Sequence, residues 1–247
     1  MTTHAYHGGV AASPRHSTQA SGSPRADLTS LHVVVPVRTL AGGKARLGEA
    51  LDAEERQGLI AGMLRDELAV LGAWGLAKAI HVVSPDPEVA PLATAAGAHP
   101  VVQVGDGLNE AIRHARAAAM GAGATALLIL PADLPMLDVP ALDRLLGGAD
   151  AAMAAGTGAP LAVIAAADAR DGTNALLLSP PDIIEPHFGP GSLEAHLRAA
   201  RDANATVQLV VDPVVGFDLD TPADLVRLDP ARLAELEALG AASVASA

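Results

Sequence analysis

Three carboxylates and a short basic loop carry the residue types needed to handle phosphate. Asp133 follows the apolar run Thr125–Leu130 (TALLIL) and lies between Pro131 and Pro135. A carboxylate at the carboxyl end of a buried strand is costly unless it is paired or holds a cation, although Asp133 could also cap a helix starting near Val139. Asp218 and Asp220 flank Leu219, and in an extended segment residues two apart project to one side, where they could share a divalent cation. The competing use of Asp220 is to help cap a helix at Thr221. Lys44 and Arg46 follow Gly42 and Gly43, and a flexible cationic loop after a first strand is a place to bind phosphate. Taken together, these groups form the arrangement expected for magnesium-dependent nucleotidyl transfer.

Two further positions suit an anion. Ser192 follows Gly189, Pro190 and Gly191 at the start of a helix, where backbone N–H groups point outward. Thr173 stands between Gly172 and Asn174. Both also fit ordinary turn and cap chemistry. His81, His99, His114, His187 and His196 show no close metal-ligand spacing and read as surface or satisfied core residues.

The elements that must position these groups alternate regularly through the first half. Val33 to Val35 reads as a strand buried on both faces, and Asp52 caps a helix running to Leu71 on an apolar rhythm. Strands are expected at Ala79–Val83, Val101–Val104 and Thr125–Leu130, with helices at Val89–Ala96 and Leu108–Met120. This pattern implies a doubly wound α/β sheet with right-handed crossovers and helices on both faces. In the second half Ala149–Ala155, Leu161–Ala166 and Ala175–Leu178 read as strands close together, which implies an antiparallel addition or a mixed sheet. A helix at Leu193–Ala203, a strand at Val207–Val211 and a helix capped by Thr221, Pro222 and Asp224 complete the chain.

Composition narrows the partners. The 247 residues are 50% hydrophobic, enough for one sizeable core, with only 2% aromatics and a net charge of -12. An acidic chain almost without rings is a poor match to nucleic acid. There is no cysteine, which excludes disulfides, thiolate metal sites and cysteine nucleophiles. No apolar run reaches the ~18 residues a membrane helix requires. The Ser-, Gly- and Pro-rich start lacks a signal-peptide core, so residues 1–28 are expected to be a disordered extension of a cytoplasmic protein. One domain is expected over 29–240, followed by a flexible tail at 241–247.

Six segments in order resemble the guanylyltransferases of deazaflavin coenzyme F-420 biosynthesis, which act on 2-phospholactate or phosphoenolpyruvate. They are VVVPVRTLAGGKARL, GLNEAI at Gly107–Ile112, LPADLP at Leu130–Pro135, DGTNALLL at Asp171–Leu178, FGPGSLEAH at Phe188–His196 and FDLDTPADL at Phe217–Leu225. The resemblance implies a nucleotide-diphospho-sugar transferase-like fold, a Rossmann-like and mostly parallel mixed sheet. It also implies attack of the acceptor's phosphate on the α-phosphorus of GTP. By carry-over, Asp133, Asp218 and Asp220 bind Mg²⁺, and Lys44 and Arg46 with the backbone of Gly42 and Gly43 hold the triphosphate. Thr173, Gly189 and Ser192 contact the phosphorylated acid, Asn109 contacts the nucleotide, and the product passes to the next enzyme of the pathway. Two departures stand out: Arg38 and Gly43 replace an expected Lys and Ala, and the loop leading to Thr173 reads ADARDGTN, lacking the fuller Gly-Thr-Gly-Thr-Asn run. The Ala- and Gly-rich, Lys-poor composition is similar to that of family members using phosphoenolpyruvate. A molybdopterin or sugar nucleotidyltransferase of the same fold, and a nucleotide-binding regulatory module, are the alternatives.

Overall fold

The computed structural model describes residues 26–154, 158–168 and 171–241. Seven strands, β1 (Leu31–Pro36), β2 (Ala79–Ser84), β3 (His99–Val102), β4 (Ala126–Ile129), β5 (Leu161–Ala166), β6 (Thr173–Ser179) and β7 (Thr206–Val210), form one sheet in the order β3-β2-β1-β4-β6-β5-β7. Pairing is parallel except where β6 runs antiparallel to both β4 and β5. The mixed α/β sheet expected from the sequence is therefore present, with one reversed strand. That reversal matters for the site, because it puts the first residues of β6 at the sheet edge where β1 and β4 end.

Among the described residues seven α-helices accompany the sheet: α1 (Ala53–Trp74), α2 (Val89–Ala95), α3 (Leu108–Gly121), α4 (Val139–Ala154), α5 (Ser192–Asp202), α6 (Pro222–Arg227) and α7 (Pro230–Ala241). Successive strand residues face opposite sides, so the continuous apolar runs feed two cores. Val33, Val35, Ala126 and Leu128 join the core under α1, α4 and α7, which add Leu64, Leu142 and Leu236. Val34, Leu127 and Ile129 join the other, where α3 and α5 contribute Ile112, Ala115 and Ala200. Full burial of each Val, Leu or Ile contributes roughly 1.5–3 kcal/mol before entropy is counted.

Local signals explain most boundaries. Asp52 accepts from the N–H groups of Glu54 and Glu55 while Glu55 returns a bond to Asp52, a full capping box at α1. Gly75 ends the same helix with φ 67°. α7 packs on α1 through glycine, since a Cβ on Gly62 would lie 1.9 Å from the Leu236 carbonyl oxygen.

Two expectations are corrected. Ala149–Ala154 is not a strand but the last turns of α4; Ala155 lies outside the described residues. Alanine is the strongest helix former, and this Ala-rich run continues the helix begun at Val139 instead of pairing in the sheet. β3 begins at His99 and ends at Val102, two residues earlier than expected, because Pro100 is tolerated on this edge strand. Residues 1–25 of the expected extension and 242–247 of the expected tail lie outside the described residues. Ala26 to Leu28 are placed, and the Asp27 N–H donates to Ser179 Oγ at 2.7 Å.

Candidate active site

The basic loop leaves β1 under tight control. The Val37 N–H continues the sheet by donating to Val83 O at 2.9 Å, Ser84 Oγ donates to Arg38 O at 2.9 Å, and the Leu40 N–H donates to Asp86 Oδ2 at 2.8 Å. A Cβ on Gly43 would stand 2.6 Å from the Thr39 carbonyl oxygen, so the backbone approaches itself there more closely than a side chain allows. Lys44 follows in the left-handed region, φ 50° and ψ 42°, before a single 3-10 turn at Ala45–Glu49. A non-glycine residue at positive φ is held by its surroundings, and such positions concentrate at functional sites.

The surroundings here are two carboxylates. Lys44 Nζ donates to Asp133 Oδ2 at 2.9 Å and to Asp220 Oδ1 at 2.6 Å, joining positions 89 and 176 residues away. The Leu130 N–H reaches Val34 O at 2.9 Å, extending the central pairing by one residue before Pro131 turns the chain toward Asp133. The Leu219 N–H donates to Asp133 O at 3.0 Å, which stitches the two carboxylate segments together. Asp220 is fixed from the other side by Asp224, whose Oδ2 accepts from the N–H groups of Asp220 and Thr221 and from Thr221 Oγ1. Asp218 is buried beside Asn174, whose amide Nδ2 lies 3.5 Å from Asp218 Oδ1 and donates to the carbonyls of Val215 and Gly216.

Charge in this cluster is balanced locally. Burial pulls the Lys44 ammonium toward the neutral form, but Asp133 and Asp220 outweigh it and raise its pKa above the ordinary lysine value. Glu67 on α1 lies in the adjoining core. Burial first, then the charges of Asp133 and Asp66, raise its carboxyl well above the usual range. Among the described residues no three His, Asp or Glu side chains stand together as a ready metal set. Even so, Asp133 and Asp220 converge on one cationic atom, and two carboxylates with waters suffice for magnesium. The donor set therefore fits a hard divalent cation, with the Lys44 ammonium marking where positive charge is held.

A second group lies where α5 meets the start of β6. Gly189 and Gly191 adopt φ 126° and 71°, and the Ser192 N–H donates to Gly189 O at 3.1 Å as α5 begins. The Leu193 N–H reaches Asp171 O at 3.4 Å, which brings the helix start to the loop before Thr173. Thr173 Oγ1 lies 3.0 Å from His196 Nδ1, one helical turn beyond Ser192. Residues 169 and 170 of the departing ADARDGTN loop lie outside the described residues.

α3 braces this group. The Asn109 amide exchanges two bonds with the backbone of Phe188, Nδ2 to O at 3.0 Å and N–H to Oδ1 at 2.8 Å. Arg116 donates to Ile184 O at 3.0 Å and pairs with Glu185 at 2.7 Å, and Arg113 pairs with Glu185 at 3.0 Å. Asn109, Arg113 and Arg116 fall on one face of the helix by their spacing. The structure thus brings Lys44, Asp133 and Asp220 together, and Thr173, Gly189 and Ser192 together. It leaves Arg46 exposed on the turn with no ion pair among the described residues, and it commits both ends of the Asn109 amide to Phe188. Asn174, Asp224 and His196 join these groups without a site role expected from the sequence. The spacing of Ser192 and His196 on one helix face was the available signal for the last.

Residues 31–229 match the family model described as guanylyl transferase CofC like. The chain belongs to that family. It is 46% identical over 200 residues to the phosphoenolpyruvate guanylyltransferase of Rubrobacter xylanophilus, covering 81% of this chain and 94% of that protein. It is 39% identical over 196 residues to the protein of the same name from Sphaerobacter thermophilus, covering 79% and 90%. Among solved structures, a putative nucleotide-diphospho-sugar transferase from Desulfovibrio desulfuricans superposes with a TM-score of 0.65 at 19% identity, covering 85% of this chain and 96% of that one. A 4-diphosphocytidyl-2C-methyl-D-erythritol synthase gives 0.56 at 16% identity over 83% and 97%. These two likenesses speak to the fold, which is the nucleotide-diphospho-sugar transferase-like fold expected from the sequence. No helix among the described residues of this CofC-like chain is long and apolar enough to cross a membrane.

Proposed function

We propose that this chain is a guanylyltransferase that joins the guanylyl group of GTP to the phosphate of phosphoenolpyruvate in coenzyme F-420 biosynthesis. An oxygen of the acceptor's phosphate attacks the α-phosphorus, the bond from that phosphorus to the bridging oxygen of the β-phosphate breaks, and pyrophosphate leaves with the electron pair. The products are enolpyruvoyl-2-diphospho-5'-guanosine and pyrophosphate. A phosphate monoester carries about -1.5 to -2 charge near neutral pH, so its oxygen needs no general base. The chain has no cysteine, which accords with that chemistry.

What remains to be overcome is repulsion between two anions and their misalignment. Lys44 is the cation at the centre. Its ammonium keeps Asp133 and Asp220 in register and, when GTP arrives, takes a triphosphate oxygen, with the N–H groups of Gly42 and Gly43 and the exposed Arg46 alongside. Asp133 and Asp220, with Asp218 behind them, would hold Mg²⁺, which would neutralise charge on the triphosphate. Thr173 and the Gly189–Ser192 helix start receive the acid acceptor. Asn109, Arg113 and Arg116 keep that loop in place.

The observation that carries this reading is the convergence of Asp133 and Asp220 on Lys44 at the sheet edge where α5 also begins. The names of the similar proteins support phosphoenolpyruvate as acceptor. The test is pyrophosphate release from GTP and magnesium with phosphoenolpyruvate, 2-phospholactate and 3-phosphoglycerate in parallel. Phosphoenolpyruvate is expected to be turned over fastest. A preference for 2-phospholactate would reassign the acceptor, and no release with any of the three would remove the substrate class. The diphosphate-linked product is handed to the next enzyme of the deazaflavin pathway; coupled kinetics unchanged by dilution would contradict direct transfer.

A further inference from the structure

His196 is completely buried on α5, and the chemistry just described does not use it. Its two ring nitrogens have different partners. The backbone N–H of His187 donates to Nε2 at 2.9 Å. A backbone N–H can only donate, so Nε2 must present its lone pair, and a neutral ring then carries its proton on Nδ1. Nδ1 lies 3.0 Å from Thr173 Oγ1. With Nδ1–H as donor, the Thr173 oxygen accepts and its own proton is directed elsewhere. Thr173 has no other side-chain partner among the described residues.

The ring is kept neutral. Burial, and secondarily the neighbouring His187, lower its pKa to about 4. The Phe188 ring packs edge-on at 5.0 Å and offers no counter-charge. An imidazolium would also set two N–H groups against each other at His187.

We infer that His196 is a positioning residue for the acid acceptor, a neutral Nδ1–H imidazole that turns the Thr173 hydroxyl into a one-way donor toward an anionic oxygen. This rests on the reading of Thr173 and Ser192 as the acid-binding end of the site. A free hydroxyl is a rotor that donates or accepts as its neighbours dictate. Locked as an acceptor toward His196, it favours carboxylate or phosphate oxygen and disfavours a group that can only donate.

Two near-isosteric changes divide the roles of the ring. His196→Asn can place an amide N–H near the Nδ1 position and keep donation to Thr173. His196→Gln can place an amide oxygen near Nε2, keeping the His187 contact and losing that donation. His196→Gln is expected to raise the KM for phosphoenolpyruvate about tenfold, the scale of one hydrogen bond to a charged group, with KM for GTP unchanged. His196→Asn should recover most of that loss. Thr173→Val should raise the same KM, and adding His196→Gln to it should do no further harm. Equal increases in both KM values, or multiplying effects in the double variant, would overturn the inference in favour of a packing role. If Thr173→Val leaves the KM for phosphoenolpyruvate unchanged while turnover persists, the acid-site reading fails and the inference with it. Nitrogen-15 NMR of the unaltered full chain reads the tautomer directly. A protonated Nδ1 with an unprotonated Nε2 is expected for His196, and the reverse tautomer would overturn the inference whatever the variants do.

Discussion

Lys44 is the residue on which the other site groups depend. Its backbone is held at positive φ and its ammonium lies between two carboxylates, so it joins three chain segments, and in the proposed reaction it is the positive charge that meets the triphosphate. Lys44→Ala is expected to lower kcat/KM for GTP by roughly 10²- to 10³-fold, the range found when a preorganised charge-stabilising donor is lost. Steady-state kinetics with GTP varied, beside a thermal melt, checks this: the melt should shift little by comparison. The candidate carboxylates were visible as Asp133 between prolines and as the Asp218–Asp220 pair. Their mutual geometry was not, because contacts across 89 and 176 residues are created by the sheet and leave no local trace. Asn109 illustrates the same gap. The family resemblance makes Asn109 a nucleotide contact, and the folded chain sets Phe188 against both ends of its amide.

At the scale of elements, short caps and one reversed strand set the precision of the site. Asp224 closes the α6 capping box and simultaneously holds the backbone of Asp220. Asp224→Ala should cost about 1 kcal/mol as a lost cap and also reduce turnover, since Asp220 is no longer fixed. Denaturant unfolding and activity measured on the same preparation test both halves; a stability loss with unchanged turnover would separate the cap from the site. The capping signals at Asp52 and Thr221 were legible because they depend on residues three apart. The α4 extension through Ala149–Ala154 was not, because a short Ala-rich run has no periodicity that separates strand from helix. The reversal of β6 likewise follows from pairing, and it is what carries Thr173 and Asn174 to the edge occupied by Asp133.

Across the whole molecule, neutral histidines are built into the fold. His32 and His81 stack on adjacent strands with ring centroids 5.2 Å apart and one nitrogen contact at 3.0 Å, and His99 lies beyond His81. Burial, followed by the neighbouring histidines, lowers His81 to about 4; burial, with His99 adding to it, also lowers His32. Burial sets His196 at about 4 as well. In the unfolded chain these rings titrate near 6.5, so below that pH the unfolded state binds protons the native state refuses. Stability should be full above about pH 6.5 and fall as pH drops toward 4. Melting temperatures across that window test this, and His81→Gln should flatten the slope. A flat wild-type profile would contradict the burial of neutral rings.

In the proposed reaction Asp133 and Asp220, drawn together by Lys44, carry guanylyl transfer to phosphoenolpyruvate. The most direct measurement is the rate of pyrophosphate release from GTP, magnesium and phosphoenolpyruvate by the unaltered chain, Asp133→Asn and Asp220→Asn, each verified as folded by circular dichroism. A loss of at least about 10²-fold is expected in either variant with the fold retained. Turnover close to that of the unaltered chain in both variants would contradict it.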